Sequence, residues 1–380
     1  MNKHNYFMQQ AIDLAKLGKG HTFPNPAVGC VIVKNNEIIS TGFHECYGGY
    51  HAEKNAILNA KESLTGASLY VNLEPCAHFG KQPPCCNLIV ESKLSKVFYS
   101  SIDPNPQVAS QGVEYLEKHG VKTYGNILAK KAFELNEAFF YHTITGKPLV
   151  AAKWAQSIDG KIFTYTKESK WITGEKSRQY VHELRNNHQA IMVGANTLNA
   201  DNPQLNVRMV ANAGNPIKII VSSTGNINLH SRIFNDNNNI IIGTTEKIPS
   251  KIEAELKTKN CQLIKTTAHN NQVNLEELLI ELGKLGIISV FIEGGAELLK
   301  SFILQNLINK AFVFIAPTLI SGNNNSLINE NIFAELKNTP KYILKDTQIF
   351  DNDILIEYLA PTYNQWKDLC LAELLKKSVV

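Results

Sequence analysis

His51-Ala52-Glu53-Lys54-Asn55-Ala56-Ile57-Leu58-Asn59-Ala60, taken with Pro75-Cys76 and Cys85, is the stretch from which the rest of this 380-residue chain can be read. An imidazole and two thiols suit a zinc ion that takes three protein ligands and leaves its fourth position to water. His51, Cys76 and Cys85 are the candidate ligands, and such a metal lowers the pKa of its water toward neutrality. Glu53 follows the histidine by two positions and is not a ligand in this reading. It is the candidate general acid/base, taking a proton from the water and passing it to a leaving amine. Ala56, Ile57 and Ala60 share one face, which predicts a helix. His51 and Glu53 then fall in its first turn, where orphan amides favour negative charge.

Outward from that helix, Ala67-Ser68-Leu69-Tyr70-Val71-Asn72-Leu73 reads as a strand ending in Glu74-Pro75-Cys76. A loop with Pro83-Pro84 follows, and Cys85-Cys86-Asn87-Leu88-Ile89-Val90 opens another helix. A cysteine at a helix N-terminus has its thiolate favoured by the helix dipole. Two helix starts thus converge on one cation site, the division of labour used by zinc-dependent base deaminases. The plain structural alternative makes His51 a helix cap and the cysteines core residues. The usual deaminase spacing is Cys-x-x-Cys, whereas eight residues separate Cys76 from Cys85 here. Cys86 and His78 are therefore rival ligands, and His78 could equally contact substrate.

The longer spacing belongs to a wider pattern. Thr22-Phe23-Pro24-Asn25-Pro26-Ala27-Val28-Gly29-Cys30, His51-Ala52-Glu53, Leu73-Glu74-Pro75-Cys76-Ala77-His78-Phe79-Gly80-Lys81-Gln82-Pro83-Pro84-Cys85-Cys86 and Asp103-Pro104-Asn105-Pro106 closely resemble the bifunctional riboflavin-biosynthesis deaminase/reductase family. The resemblance implies an α/β chain whose N-terminal half is a cytidine-deaminase-like three-layer αβα domain. It places Cys85 on the zinc, leaves Cys86 structural and puts Asn25 against the pyrimidine. On its own, an asparagine between two prolines is most often a turn residue.

The chain exceeds a typical single core, so two domains are expected. A hydrophobic content of 44% with 19% charged residues is that of an ordinary globular protein. The net charge of +4 is mild for this length, and a nucleic-acid groove would want clustered cations. Seven irregularly spaced cysteines, no apolar leader and no long apolar run point to a reducing cytoplasm and exclude a membrane partner.

In chain order, an apolar stripe predicts a helix over 5–18, a hairpin over 28–34 and 37–43, and a strand over 97–102. A helix over 108–119, a strand over 121–124 and one long helix from Leu128 to Thr145 follow. Gly146-Lys147-Pro148 is the expected boundary, giving a deaminase domain over 1–146, a second domain over 147–360 and a tail over 361–380. Strands are expected at 149–155, 189–194, 217–222, 240–244, 261–265, 287–293 and 311–316. A helix over 275–285 and a terminal hairpin of 342–345 with 354–359 complete a mixed sheet. The Asn-rich runs at 235–239 and 322–325 read as exposed loops, and the tail as a short amphipathic helix.

Ile292-Glu293-Gly294-Gly295 ends a strand at a helix start, where backbone amides can approach a phosphate closely. It lacks the dinucleotide Gly-x-Gly-x-x-Gly spacing, and a bare Gly-Gly is commonly just a turn. Ser157-Ile158-Asp159-Gly160, Trp171-Ile172-Thr173, Gly194-Ala195-Asn196-Thr197 and Asp201-Asn202-Pro203 resemble the reductase half of the same family. That half is similar to dihydrofolate reductase, an α/β fold, and uses NADPH. By this resemblance Ala155, Trp171, Thr197, Asp201, Ser223 and the helix start Gly295, Ala296, Glu297, Leu298, Leu299, Lys300 and Ser301 hold the cofactor. Ser169, Arg185, Leu205, Arg208 and Glu293 hold the substrate.

Guanidinium groups bind phosphate bidentately, which suits Arg185 and Arg208, although a surface ion pair is the commoner fate of one arginine. Asp201 beside Pro203 also reads as a cap or turn residue. Glu293, a carboxylate ending an apolar strand, should meet a partner or a ligand.

The implied partner is a small phosphorylated pyrimidine rather than nucleic acid, and the sequence is compatible with a homo-oligomer. The resemblance implies zinc-dependent deamination of 2,5-diamino-6-ribosylaminopyrimidinone 5′-phosphate, then reduction of the ribose by NADPH to a ribityl chain. A nucleic-acid deaminase would share the zinc site but need no second domain. A scaffold with structural zinc would need a fourth protein ligand.

Overall fold

The computed structural model describes residues 2–78, 83–105, 108–235 and 239–377. Phe79 to Gln82, Pro106 and the centre of the Asn-rich run, 236–238, lie outside the described residues, as do the last three residues of the tail. The chain forms two compact units, Met1–Gly146 with Trp366–Val380, and Lys147–Gln365.

The first unit opens with α1 (Lys3–Lys16), whose N-terminus is capped by the Asn2 side chain. A hairpin of β1 (Gly29–Lys34) and β2 (Glu37–Phe43) leads to α2 (Ala52–Leu58) and β3 (Ser68–Val71). α3 (Cys85–Glu91), β4 (Lys96–Tyr99), α4 (Gln111–Lys118) and β5 (Lys122–Tyr124) follow, in the order read from the sequence. The strands pair as β2-β1-β3-β4-β5, with β3, β4 and β5 parallel.

Strand alternation divides the core. Val31, Val33, Tyr70 and Phe98 pack with Phe7, Met8 and Ile12 of α1. Cys30, Ile32, Leu69, Val71, Val97 and Tyr99 face Ala52, Ala56, Ile89 and Leu116 of the helices beyond. That two-residue period buries both faces of the sheet and makes the unit a three-layer αβα sandwich.

The long helix expected from Leu128 to Thr145 is two, α5 (Ala129–Leu135) and α6 (Glu137–Thr145). The break has a cause outside the segment. Buried Asn136 leaves helical geometry (φ −113°, ψ 20°), and its side chain bonds both backbone groups of Ala27, at 2.8 and 2.9 Å. Tertiary hydrogen bonding here overrides a continuous helical pattern.

The second unit carries β6 (Leu149–Ser157), α7 (Glu175–Asn186), β7 (Ala190–Gly194), α8 (Ala195–Asp201), β8 (Ile217–Val221), β9 (Ile240–Thr245), α9 (Ser250–Thr258) and β10 (Gln262–Thr266). A small hairpin, β11 (Ala268–His269) with β12 (Gln272–Val273), precedes α10 (Leu275–Lys284), β13 (Ser289–Glu293), α11 (Ala296–Leu304) and β14 (Lys310–Ala316). β15 (Ile343–Phe350) and β16 (Asp353–Leu359) complete a nine-stranded sheet in the order β10-β9-β8-β7-β13-β6-β14-β16-β15.

The strands from β10 to β14 run parallel, so their carboxyl ends share one edge, where open α/β sheets bind ligands. β15 is longer than the expected 342–345. Its added residues are mostly polar because it is an exposed edge strand, so no apolar alternation marks it. The expected tail is α12 (Pro361–Lys377); from Trp366 onward it belongs to the first unit, where Trp366, Cys370, Leu371 and Leu374 pack against the core that holds Phe133 and Phe140.

Candidate active sites

In the first unit a cleft of about 360 Å³ opens beside the carboxyl ends of β3 and β4 and the start of α2. His51 is the N-cap of α2, its side chain making no cap bond and so left to the cleft. Its Nδ1 lies 3.5 Å from Cys76 Sγ and 3.4 Å from Cys85 Sγ. The three ligand atoms all fall within 4.8 Å of one another. Tetrahedral zinc with ordinary Zn–N and Zn–S bonds sets its ligand atoms roughly 3.5 Å apart, so the donor set fits the ion.

The Cys76 thiol is pulled down, first by its hydrogen bond with Cys85 and then by the His51 imidazole, which favours the thiolate a metal takes. Cys86 turns away from the cluster. Its thiol donates to the carbonyls of Pro75 (3.3 Å) and Gly112 (3.6 Å), and burial pushes its pKa up. His78 lines the cleft with Asp103 and Asn105 but stands outside the cluster of three.

Glu53 is only 4% exposed. Burial lifts its carboxyl to about 7 against the opposing pull of His51, so it can hold or release a proton near neutrality. Asn25 also lines the cleft, its Nδ2 3.1 Å from Nε2 of His44. His44 places Nδ1 2.9 Å from the Tyr50 carbonyl, so Nδ1–H donates there and Nε2 accepts from Asn25. Burial lowers the His44 pKa and keeps the ring neutral, as that arrangement requires. No sequence pattern marks His44; only the fold brings it to Asn25.

In the second unit a cleft of about 240 Å³ lies at the carboxyl ends of β7, β8 and β13. Of the residues expected to hold cofactor it is lined by Thr197, Ser223, Gly295, Glu297, Leu298 and Ser301. Gly295 sits at φ +78°, and a Cβ there would stand 2.6 Å from Thr197 Oγ1. Only glycine allows this approach at the start of α11, and a helix start with close backbone suits a pyrophosphate.

Ala296, Leu299 and Lys300 do not line the cleft. Leu299 is a core residue, and Lys300 pairs with Glu297 (2.8 Å) and Glu330 (2.7 Å). Ala155 on β6 also lies outside it. So does Trp171, 70% exposed beneath the Arg178 guanidinium. Asp201 faces Lys170 at 3.7 Å.

The residues expected at the substrate fall into a charged cluster and a scattered remainder. Arg185 grips both oxygens of Glu293 through Nε and Nη2, and its Nη1 donates to the Asn206 carbonyl at 3.0 Å. Burial pushes the Glu293 carboxyl up, but Arg185 outweighs it and the net shift is downward. Lys153, opposite Glu293 in the β13–β6 register, joins this cluster, and burial lowers its pKa.

The sequence reading missed Lys153. The signal was available, since an amine inside an apolar strand raises the same question as Glu293. Arg208 is exposed, and its backbone N–H donates to His182 Nδ1 at 3.1 Å. Leu205 is buried and Ser169 exposed.

The profile of the cytidine and deoxycytidylate deaminase zinc-binding region matches residues 1–101, and that of the RibD C-terminal domain matches 148–356. Riboflavin biosynthesis protein RibD of Actinobacillus pleuropneumoniae is 41% identical over 356 residues, covering 93% of this chain and 94% of that protein. The chain belongs to the RibD family.

The RibD of Aquifex aeolicus is 39% identical over 314 residues, covering 83% of this chain and 87% of that one. Among solved structures, Acinetobacter baumannii RibD superposes with a TM-score of 0.86 at 35% identity, covering 94% of this chain and 98% of the other. The Thermotoga maritima diaminohydroxyphosphoribosylaminopyrimidine deaminase/5-amino-6-(5-phosphoribosylamino)uracil reductase gives 0.84 at 34% identity, covering 94% and 99%.

As a RibD-family member the chain is a bifunctional enzyme of riboflavin biosynthesis, a zinc-dependent deaminase joined to an NADPH-dependent reductase. Both expected fold types are present. Among the described residues no helix is long and apolar enough to cross a membrane.

Proposed function

We propose that the first cleft deaminates 2,5-diamino-6-ribosylaminopyrimidinone 5′-phosphate and that the second reduces the ribose of the deaminated product, 5-amino-6-(5-phosphoribosylamino)uracil. One observation carries the first assignment: the only donor cluster of its kind among the described residues, His51, Cys76 and Cys85, opens onto a cleft shared with buried Glu53. Zinc held by those three residues would supply a water acidified toward neutrality. Glu53 takes a proton from the attacking water and returns it to the departing amine, a task its near-neutral pKa suits. Asn25, oriented by His44, holds the pyrimidine edge.

In the second cleft NADPH supplies the hydride. The start of α11, Thr197 and Ser223, which line that cleft, would hold the cofactor, with Ala155, Trp171 and Asp201 as further contacts. Arg208, exposed and without a carboxylate partner among the described residues, meets the substrate phosphate. Arg185 acts through Glu293, while Ser169 and Leu205 border the substrate. The seven cysteines, none joined in a disulfide among the described residues, support residence in a reducing cytoplasm. The uncovered edge strand β15, with Leu344 and Ile349 exposed, supports self-association.

Glu53→Ala tests the assignment. Zinc content and NADPH oxidation should stay intact while ammonia release is lost. Retained ammonia release would remove Glu53 from the reaction.

A further inference from the structure

Glu74 stands two residues before Cys76, only 6% exposed, and belongs to none of the roles above. Its carboxylate accepts four backbone N–H bonds. Oε2 takes those of Asp103 (3.1 Å) and Ser110 (3.0 Å), and Oε1 those of Gly112 (2.9 Å) and Val113 (3.2 Å). The last two are first-turn amides of α4, whose own N-cap Ser110 makes no side-chain bond. A carboxylate from a separate segment therefore caps this helix.

The backbones are pressed together at the same place. A Cβ on Gly112 would lie 2.0 Å from the Pro75 carbonyl oxygen, and the Cys86 thiol bridges the carbonyls of Pro75 and Gly112. The Glu74 N–H also donates to Ser101 at 2.9 Å. The turn carrying Cys76 and the segment carrying Asp103 and Asn105 are thus one pinned assembly, and both line the cleft.

We propose that Glu74 is a positioning residue for deamination, pinning the Asp103–Asn105 wall to the Cys76 turn so that the pyrimidine is held at a fixed place relative to the metal ligands. This rests on the cleft being the deaminase site, as argued above. No neutral side chain replaces the carboxylate, because four donors converge on two oxygens that must both accept.

Glu74→Gln in the full-length, zinc-loaded chain tests it. The amide keeps the volume but turns an NH₂ toward two of the four amides. Expected are one zinc per chain, unchanged NADPH oxidation and a KM for deamination raised roughly tenfold, the scale of one charge-assisted hydrogen bond. Gly112→Ala, which wedges the same contact from the opposite side, should give the same pattern. A purely structural role would lower zinc content and kcat together and leave KM unchanged. That result overturns the proposal, as does a wild-type KM in both variants. Glu53→Ala, run alongside, separates the readings: if it still releases ammonia, the site assignment has failed rather than the role of Glu74.

Discussion

The Arg185–Glu293 pair decides between two readings of the reductase cluster, and its geometry sets the size of the effect. An arginine expected at a substrate phosphate is instead spent on a carboxylate 108 residues away, with both side chains largely buried. Removing one member of such a pair strands a buried charge, at a cost of about 3–5 kcal/mol. The two halves should not cost the same. With Arg185 replaced by Met, Glu293 keeps Lys153 nearby, which places the loss near the lower end, about 3 kcal/mol. With Glu293 replaced by Gln, Arg185 faces Lys153 with no carboxylate to offset it, which places the loss nearer about 5 kcal/mol.

For a unit of this size 1 kcal/mol moves Tm by about 2–4 °C, so Glu293→Gln should lower the reductase transition by about 10 °C or more. Calorimetry would measure that shift, with ammonia release reporting the other unit as an internal control. The sign with pH follows from the lowered Glu293 pKa. Its contribution is fully present above the ordinary carboxylate value and is lost as pH falls through the lower folded value, so the variant and the parent should converge in acid. Arg208→Ala should instead raise the reductase KM and leave Tm alone. An Arg185→Met protein of wild-type stability whose KM rises as Arg208→Ala raises it would refute the argument and return Arg185 to the phosphate.

Two further outcomes follow from single contacts. Cys85→Ala should lower zinc below one equivalent and abolish ammonia release, whereas Cys86→Ser, which keeps a donor for the Pro75 and Gly112 carbonyls, should retain the metal; metal analysis reads both. Gly295→Ala should raise the KM for NADPH and leave ammonia release unchanged, because its Cβ would meet Thr197 Oγ1 in a backbone conformation that only glycine adopts easily. An unchanged KM would remove α11 from the cofactor site.

What could be read beforehand divides along one physical line. That His51, Cys76 and Cys85 come together, with Glu53 on the same cleft, was legible because zinc chemistry favours those residue types, and the elements that carry them announce themselves in local patterns. The parallel strands showed for the same reason, as short apolar runs with turn signals between them. What could not be read was set by partners far away in sequence. Asn136 breaks a helix because of Ala27, 109 residues distant. Glu74 is an unremarked letter in Leu-Glu-Pro-Cys until Gly112, 38 residues on, meets it.

His44, Lys153 and the carboxylate that Arg185 grips are of the same kind. Residue type states which bonds a side chain can make, while the fold chooses which of them it does make. Arg185 is the sharpest case, since a guanidinium fits a phosphate and a carboxylate equally well. The register that sets Glu293 beside Lys153, within reach of α7, brings the carboxylate to it.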